Sequence, residues 1–67
     1  MDAHLEKMTL EAVWLDHANC QGMKLIKSKA ASLSITHGNL QQADLSETEF
    51  TKSYFEQVNL NGAIFKS

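Results

Sequence analysis

The 67 residues contain no proline and no arginine, and only one cysteine. With no proline and no low-complexity segment, nothing marks a linker or a domain boundary, so residues 1–67 read as a single domain. The lone Cys20 cannot close an internal disulfide, which excludes a secreted scaffold stapled by bridges. Without arginine, and with six lysines against eight acids for a net charge of −2, the chain lacks the clustered cations of a phosphate-binding surface. Direct nucleic-acid binding is therefore not expected. No apolar run approaches the ~18 residues of a membrane span, and the start does not resemble a signal peptide. The expectation is a soluble, cytoplasmic protein, or a piece of one, with no membrane partner. Glycine-rich phosphate loops, HExxH and a Ser-His-Asp arrangement are missing too, so the chain is expected not to be an enzyme, with no catalytic residue and no cofactor.

What the chain has is a period of five. Every fifth residue from Leu5 to Phe65 (Leu5, Leu10, Leu15, Cys20, Leu25, Ala30, Ile35, Leu40, Leu45, Phe50, Phe55, Leu60, Phe65) is apolar. Two positions before each runs a second, mostly small series: Ala3, Met8, Val13, Ala18, Met23, Ser28, Leu33, Gly38, Ala43, Thr48, Ser53, Val58, Ala63. Neither a helix nor an ordinary strand produces this period, and a fixed repeat decides architecture. Two inward and three outward positions suit a chain that turns a corner every five residues. Four sides close a square coil of twenty residues, and coils stack at strand spacing, about 4.8 Å. The paired inward residues fill the tube and leave no lumen.

The pattern resembles the pentapeptide repeat family, whose consensus is A(D/N)LXX. The best matches are Ala18-Asn19-Cys20-Gln21-Gly22, Gly38-Asn39-Leu40-Gln41-Gln42, Ala43-Asp44-Leu45-Ser46-Glu47 and Val58-Asn59-Leu60-Asn61-Gly62. The resemblance implies an all-β fold, a right-handed quadrilateral parallel β-helix, here of about three coils of twenty residues. Some members of this bacterial-type family imitate DNA, bind gyrase and protect it from poisons.

Two stretches depart from the simple pattern. Residues 1–12 are rich in helix formers, and Leu5, Met8, Ala12 and Leu15 also fit one helical face. A helical N-terminal cap there competes with the coil, which the unbroken register favours. In the second coil, Ser28 and Ala30 leave a corner short of volume, which the larger Met23 and Leu33 on either side are expected to fill. Cys20 falls on a core position and reads as a small buried hydrophobe.

Residues twenty apart should stack in columns, which makes the outer faces readable. Asn19, Asn39 and Asn59 form a column suited to amide ladders or to local turns. The face on Leu5, Leu25, Leu45 and Phe65 mixes Lys7, Lys24, Lys27 and Lys66 with Glu6, Asp44 and Glu47, and the face on Leu10, Ala30 and Phe50 is neutral as well. The face on Leu15, Ile35 and Phe55 differs. It holds Trp14, Ser34 and Tyr54, then Asp16, Thr36 and Glu56, then His17, His37 and Gln57. Aromatics are enriched at binding hot spots, so Trp14, Asp16, His17, His37, Tyr54 and Glu56 are the candidate interaction face, with a partner side chain wedged over Ser34. His17 and His37 should be neighbours, but two histidines without a fixed third ligand make a poor metal site, and none is expected.

These observations point to a non-enzymatic structural or protein-interaction module with an unidentified protein partner. Self-association through the coil ends is expected too, since open strand edges invite pairing. The alternative is a DNA-mimicking gyrase-binding protein, for which three coils, about 15 Å, are short and the acidic count modest.

Overall fold

A computed structural model describes residues 3–66; Met1, Asp2 and Ser67 lie outside the described residues. Eight three-residue strands follow one another: β1 (His4–Glu6), β2 (Thr9–Glu11), β3 (Trp14–Asp16), β4 (Lys24–Ile26), β5 (Lys29–Ala31), β6 (Ser34–Thr36), β7 (Glu49–Thr51) and β8 (Tyr54–Glu56). All pair in parallel, and every partner is twenty residues away. One ladder joins β1 to β4 and continues through bridges from Lys24 to Asp44 to Ile64. A second stacks β2, β5 and β7, and a third β3, β6 and β8. The fourth consists of bridges from Asn19 to Asn39 to Asn59. The result is all-β and solenoid-like, with four ladders running along the coil.

The corners explain why a side is five residues long. Lys7, Ala12, His17, Gly22, Lys27, Ser32, His37, Gln42, Glu47, Lys52, Gln57 and Gly62 all have φ between 50° and 74°. A left-handed residue breaks the strand and turns the chain, so one at every fifth position yields a polygon. Only two of the twelve are glycine, and none is β-branched, the class for which positive φ is most costly. On the fourth side the corner is a hydrogen-bonded turn: the N–H groups of Met23, Ala43 and Ala63 donate to the carbonyls of Cys20, Leu40 and Leu60 at 3.0–3.1 Å.

The asparagine column works locally. The N–H groups of Gln21, Gln41 and Asn61 donate to Oδ1 of Asn19, Asn39 and Asn59 at 3.2, 2.9 and 3.0 Å. Ser46 N–H does the same with Asp44 Oδ1 at 3.1 Å. Asp or Asn before a central Leu or Cys thus caps its own corner, which is the chemistry behind that position of the repeat.

Burial is concentrated in the middle. Leu25, Ser28, Ala30, Leu33, Ile35, Leu40, Ala43 and Leu45 are the buried residues, which span the middle lap and the first central residue of the next. Leu5, Leu10, Leu15 and Cys20 on one side and Phe50 and Phe55 on the other are partly buried against them. Met8, Leu60, Ile64 and Phe65 are exposed. An inward position is covered only when a coil lies on each side of it.

Three sequence expectations find their answer here. Residues 3–12 follow the coil that the register favours: they carry β1 and β2, and no helix lies among the described residues, so the competing helical cap is set aside there, while Met1 and Asp2 lie outside the described residues. The middle of the tube is filled, with Leu25, Leu33, Ile35, Leu40 and Leu45 only 1–3 % exposed, while an apolar cavity of about 250 Å³ opens among the outer-lap residues Leu5, Leu10, Leu15, Cys20, Phe50 and Phe55. Cys20 is small for a central residue, and the outer laps lack a second neighbour to pack against. The Ser28–Ala30 corner is closed, as expected, with Ser28 and Ala30 both buried, and Met23 and Leu33 also line the cavity. Ser28 is needed there for its hydroxyl. Its Oγ donates to the Ile26 carbonyl at 2.9 Å and accepts from Met8 N–H at 3.0 Å, while its own N–H reaches Thr48 Oγ1 at 3.4 Å.

Candidate interaction site

Strands β3, β6 and β8 place Trp14, Ser34 and Tyr54 in one column, with Asp16, Thr36 and Glu56 in the next. Alternation along each three-residue strand turns Leu15, Ile35 and Phe55 inward and their neighbours outward. Trp14 is 81 % exposed and Tyr54 54 %. Because the residue between them is serine, the two rings flank a groove of about 380 Å³ lined by Trp14, Leu15, Asp16, Ser34, Thr36 and Tyr54. Two rungs of a parallel ladder separate the rings, about 10 Å.

Beside the groove stand the two histidines, each at a left-handed corner (φ 57° for His17 and 50° for His37). Their rings stack, with centroids 4.9 Å apart and planes within 8° of parallel. Asp16 faces both: its Oδ2 lies 3.2 Å from His17 Nδ1, and its Oδ1 lies 3.8 Å from His37 Nδ1. Thr36 Oγ1 donates to Asp16 Oδ1 at 2.6 Å. That hydroxyl holds the Asp16 carboxyl below the usual carboxylate range; desolvation opposes it, and the His17 ring, followed by the charge of His37, adds to the lowering.

Of the six candidate residues, Trp14, Asp16 and Tyr54 line the groove, and His17 and His37 meet on Asp16. Glu56 is exposed on β8, in register with Thr36, and is not among the groove-lining residues. The selection missed Thr36, the group that orients Asp16. Its place between Asp16 and Glu56 in the column was the available signal. The premise that the histidines lack a third ligand does not hold, since Asp16 stands within reach of both. Cys20 lies apart from the groove and lines the internal cavity, and its thiol is pushed up by burial, so it is a poor nucleophile.

No helix among the described residues is long and apolar enough to cross a membrane. No curated protein and no solved structure matches the chain. The family model described as pentapeptide repeats (8 copies) matches residues 34–66. The same five-residue register and twenty-residue pairing run upstream of that match through β1, β2 and β3. Residues 34–66 thus match the pentapeptide repeat family, and the ladders carry the same repeat geometry upstream of them.

Proposed function

We propose that the chain is a non-enzymatic, cytoplasmic protein-interaction module, built as a right-handed quadrilateral β-helix of about three coils, and that a protein partner docks on the Trp14–Tyr54 groove. The right hand follows from the general handedness of parallel crossovers. The observation that carries the docking reading is the groove itself, an exposed tryptophan and tyrosine held on a rigid ladder on either side of a serine. Side chains fixed by a sheet lose little freedom on binding, which favours affinity. Aromatic walls with Asp16 at the floor and Glu56 nearby suit a partner's arginine or lysine, whose charge meets the ring faces and the carboxylates.

The test is selection of peptides from a displayed library against the intact chain, followed by affinity measurement with Trp14→Ala, Tyr54→Ala and, on a different face, Lys29→Ala. Hot-spot loss of about 2 kcal/mol or more predicts roughly 30-fold weaker binding to the two aromatic variants and no change with Lys29→Ala. Peptides that bind all three variants equally would remove the groove from consideration.

Self-association is a second reading, favoured by the exposed inward-column side chains of Leu60 and Phe65, at 38 % and 56 % exposure. Stacking on another coil would cover them and pair open strand edges. Light scattering over a concentration series should give a mass above the monomer that Phe65→Glu lowers; a monomer at every concentration rejects it. The gyrase-binding alternative has no specific observation in its favour. The described residues measure 22 × 20 × 17 Å, and a stacked dimer would be the form in which to assay gyrase.

A further inference from the structure

We propose that Asp16, His17 and His37 form a two-histidine, one-carboxylate site for a first-row transition-metal dication such as Zn²⁺. The site adjoins the peptide groove and shares Asp16 with it, but its two histidines lie outside the groove lining.

Three donors of two types on one patch of surface come from two successive laps. His17 and His37 occupy equivalent corners of successive laps, which brings their imidazoles face to face. Asp16 precedes His17 directly. In a regular strand, consecutive side chains point to opposite faces, but the left-handed corner at His17 breaks that alternation and returns its ring to the side of Asp16. One donor atom from each of the three residues lies within 4.8 Å of the others. Tetrahedral zinc, with bonds of about 2.0–2.2 Å, needs donors roughly 3.3 Å apart. His17 Nδ1 and Asp16 Oδ2, at 3.2 Å, already meet that spacing. The two rings are stacked nearly parallel, whereas an imidazole ligates in its own plane, so His37 must turn its ring out of the stack as its Nδ1 closes the 3.8 Å to Asp16 Oδ1, for which its exposed side chain has room.

The donor set selects the ion. Two imidazoles and one carboxylate suit Zn²⁺, Cu²⁺, Ni²⁺ or Co²⁺, whereas Mg²⁺ and Ca²⁺ prefer oxygen throughout. The outer shell is also present. The Thr36 hydroxyl donates to Asp16 Oδ1, a contact of the kind that fixes a ligating carboxylate and contributes to affinity. The fourth position faces solvent and is open to water or to a ligand from another molecule.

The experiment is calorimetric titration of the untagged chain with zinc chloride, repeated with cobalt chloride while the visible spectrum is recorded. One equivalent of zinc is expected, with a cobalt spectrum of tetrahedral type. His17→Ala and His37→Ala should each weaken binding at least 10-fold, and Thr36→Val several-fold, with Thr36→Ser restoring it. His4→Ala, on another face, should bind as the parent does. All the altered side chains lie at or near the surface, and circular dichroism verifies that each variant keeps its fold. Absence of zinc binding by the parent chain up to millimolar concentration overturns the site. So does binding that survives loss of both His17 and His37.

Discussion

Leu40 and Leu60 occupy the same column, one lap apart, each following an asparagine and each opening the same hydrogen-bonded turn. Yet Leu40 is 1 % exposed and Leu60 38 %. The middle lap is a core and the outer laps are its lids. Identical local sequence makes identical corners, but burial depends on how many laps lie against a residue. Stability should therefore be unevenly distributed in a molecule whose geometry is uniform.

The largest effect should separate that pair. Leu40→Ala is expected to cost about 2–5 kcal/mol, as for a fully enclosed leucine, while Leu60→Ala should cost roughly 1 kcal/mol, with much of its surface already wet. Urea denaturation midpoints measure both, and equal losses would break the contrast between core and lid. Within the core, Ala30 lies between Leu10 and Phe50 in its ladder and is 1 % exposed. Ala30→Leu should destabilise by about 1–3 kcal/mol through overpacking; a higher melting temperature would instead reveal unfilled space there.

Corners should ignore the distinction between laps. Ser32 in the middle and Ala12 in the first lap are both exposed and both left-handed. Valine at either position should cost about 1–2 kcal/mol, and glycine at Ser32 should leave stability within roughly 0.5 kcal/mol of the parent. Unequal costs for the two valines would show that the corner energy depends on packing after all.

The smallest effect is acid sensitivity. The Asp44 carboxyl lies below its ordinary range, first because the Ser46 hydroxyl and then the Ser46 N–H donate to it, and Asp16 is lowered by Thr36. A carboxyl with a folded pKa below its unfolded value, near 3.9, holds fewer protons when folded. Its contribution is complete above the unfolded value and is lost as pH falls through the folded one. Unfolding followed from pH 6 down to about pH 2 should show a shallower acid decline for Asp44→Asn, which keeps an acceptor for Ser46 N–H but no proton to gain. An unchanged decline would place the sensitivity elsewhere.

The ladders were legible because a five-residue period over four sides leaves only one register, and the columns read from it bring Trp14, Ser34 and Tyr54 together as the pairing does. The asparagine corner caps were legible from residue type. The left-handed positions had a signature that the apolar pattern obscures, namely twelve evenly spaced residues without a β-branched side chain. The columns already set Asp16 beside His17 on one outer face, but spacing does not give the 3.2 Å approach of carboxylate to imidazole, which depends on the corner's φ and on the side-chain rotamers. The internal cavity was equally hidden, because an apolar residue type gives the direction of a side chain and not how fully its neighbours meet it.

Because each residue finds its partner one full lap along the chain, the molecule can change length only in certain steps. One inserted residue rotates everything after it out of column and turns leucines toward water. Five inserted residues keep apolar groups inside but slide each face a quarter turn, so that the aromatic column meets the asparagine column. Twenty restore every neighbour. Such a chain grows by duplicating a whole lap, and each added lap converts a lid into core while carrying the outer faces forward unchanged.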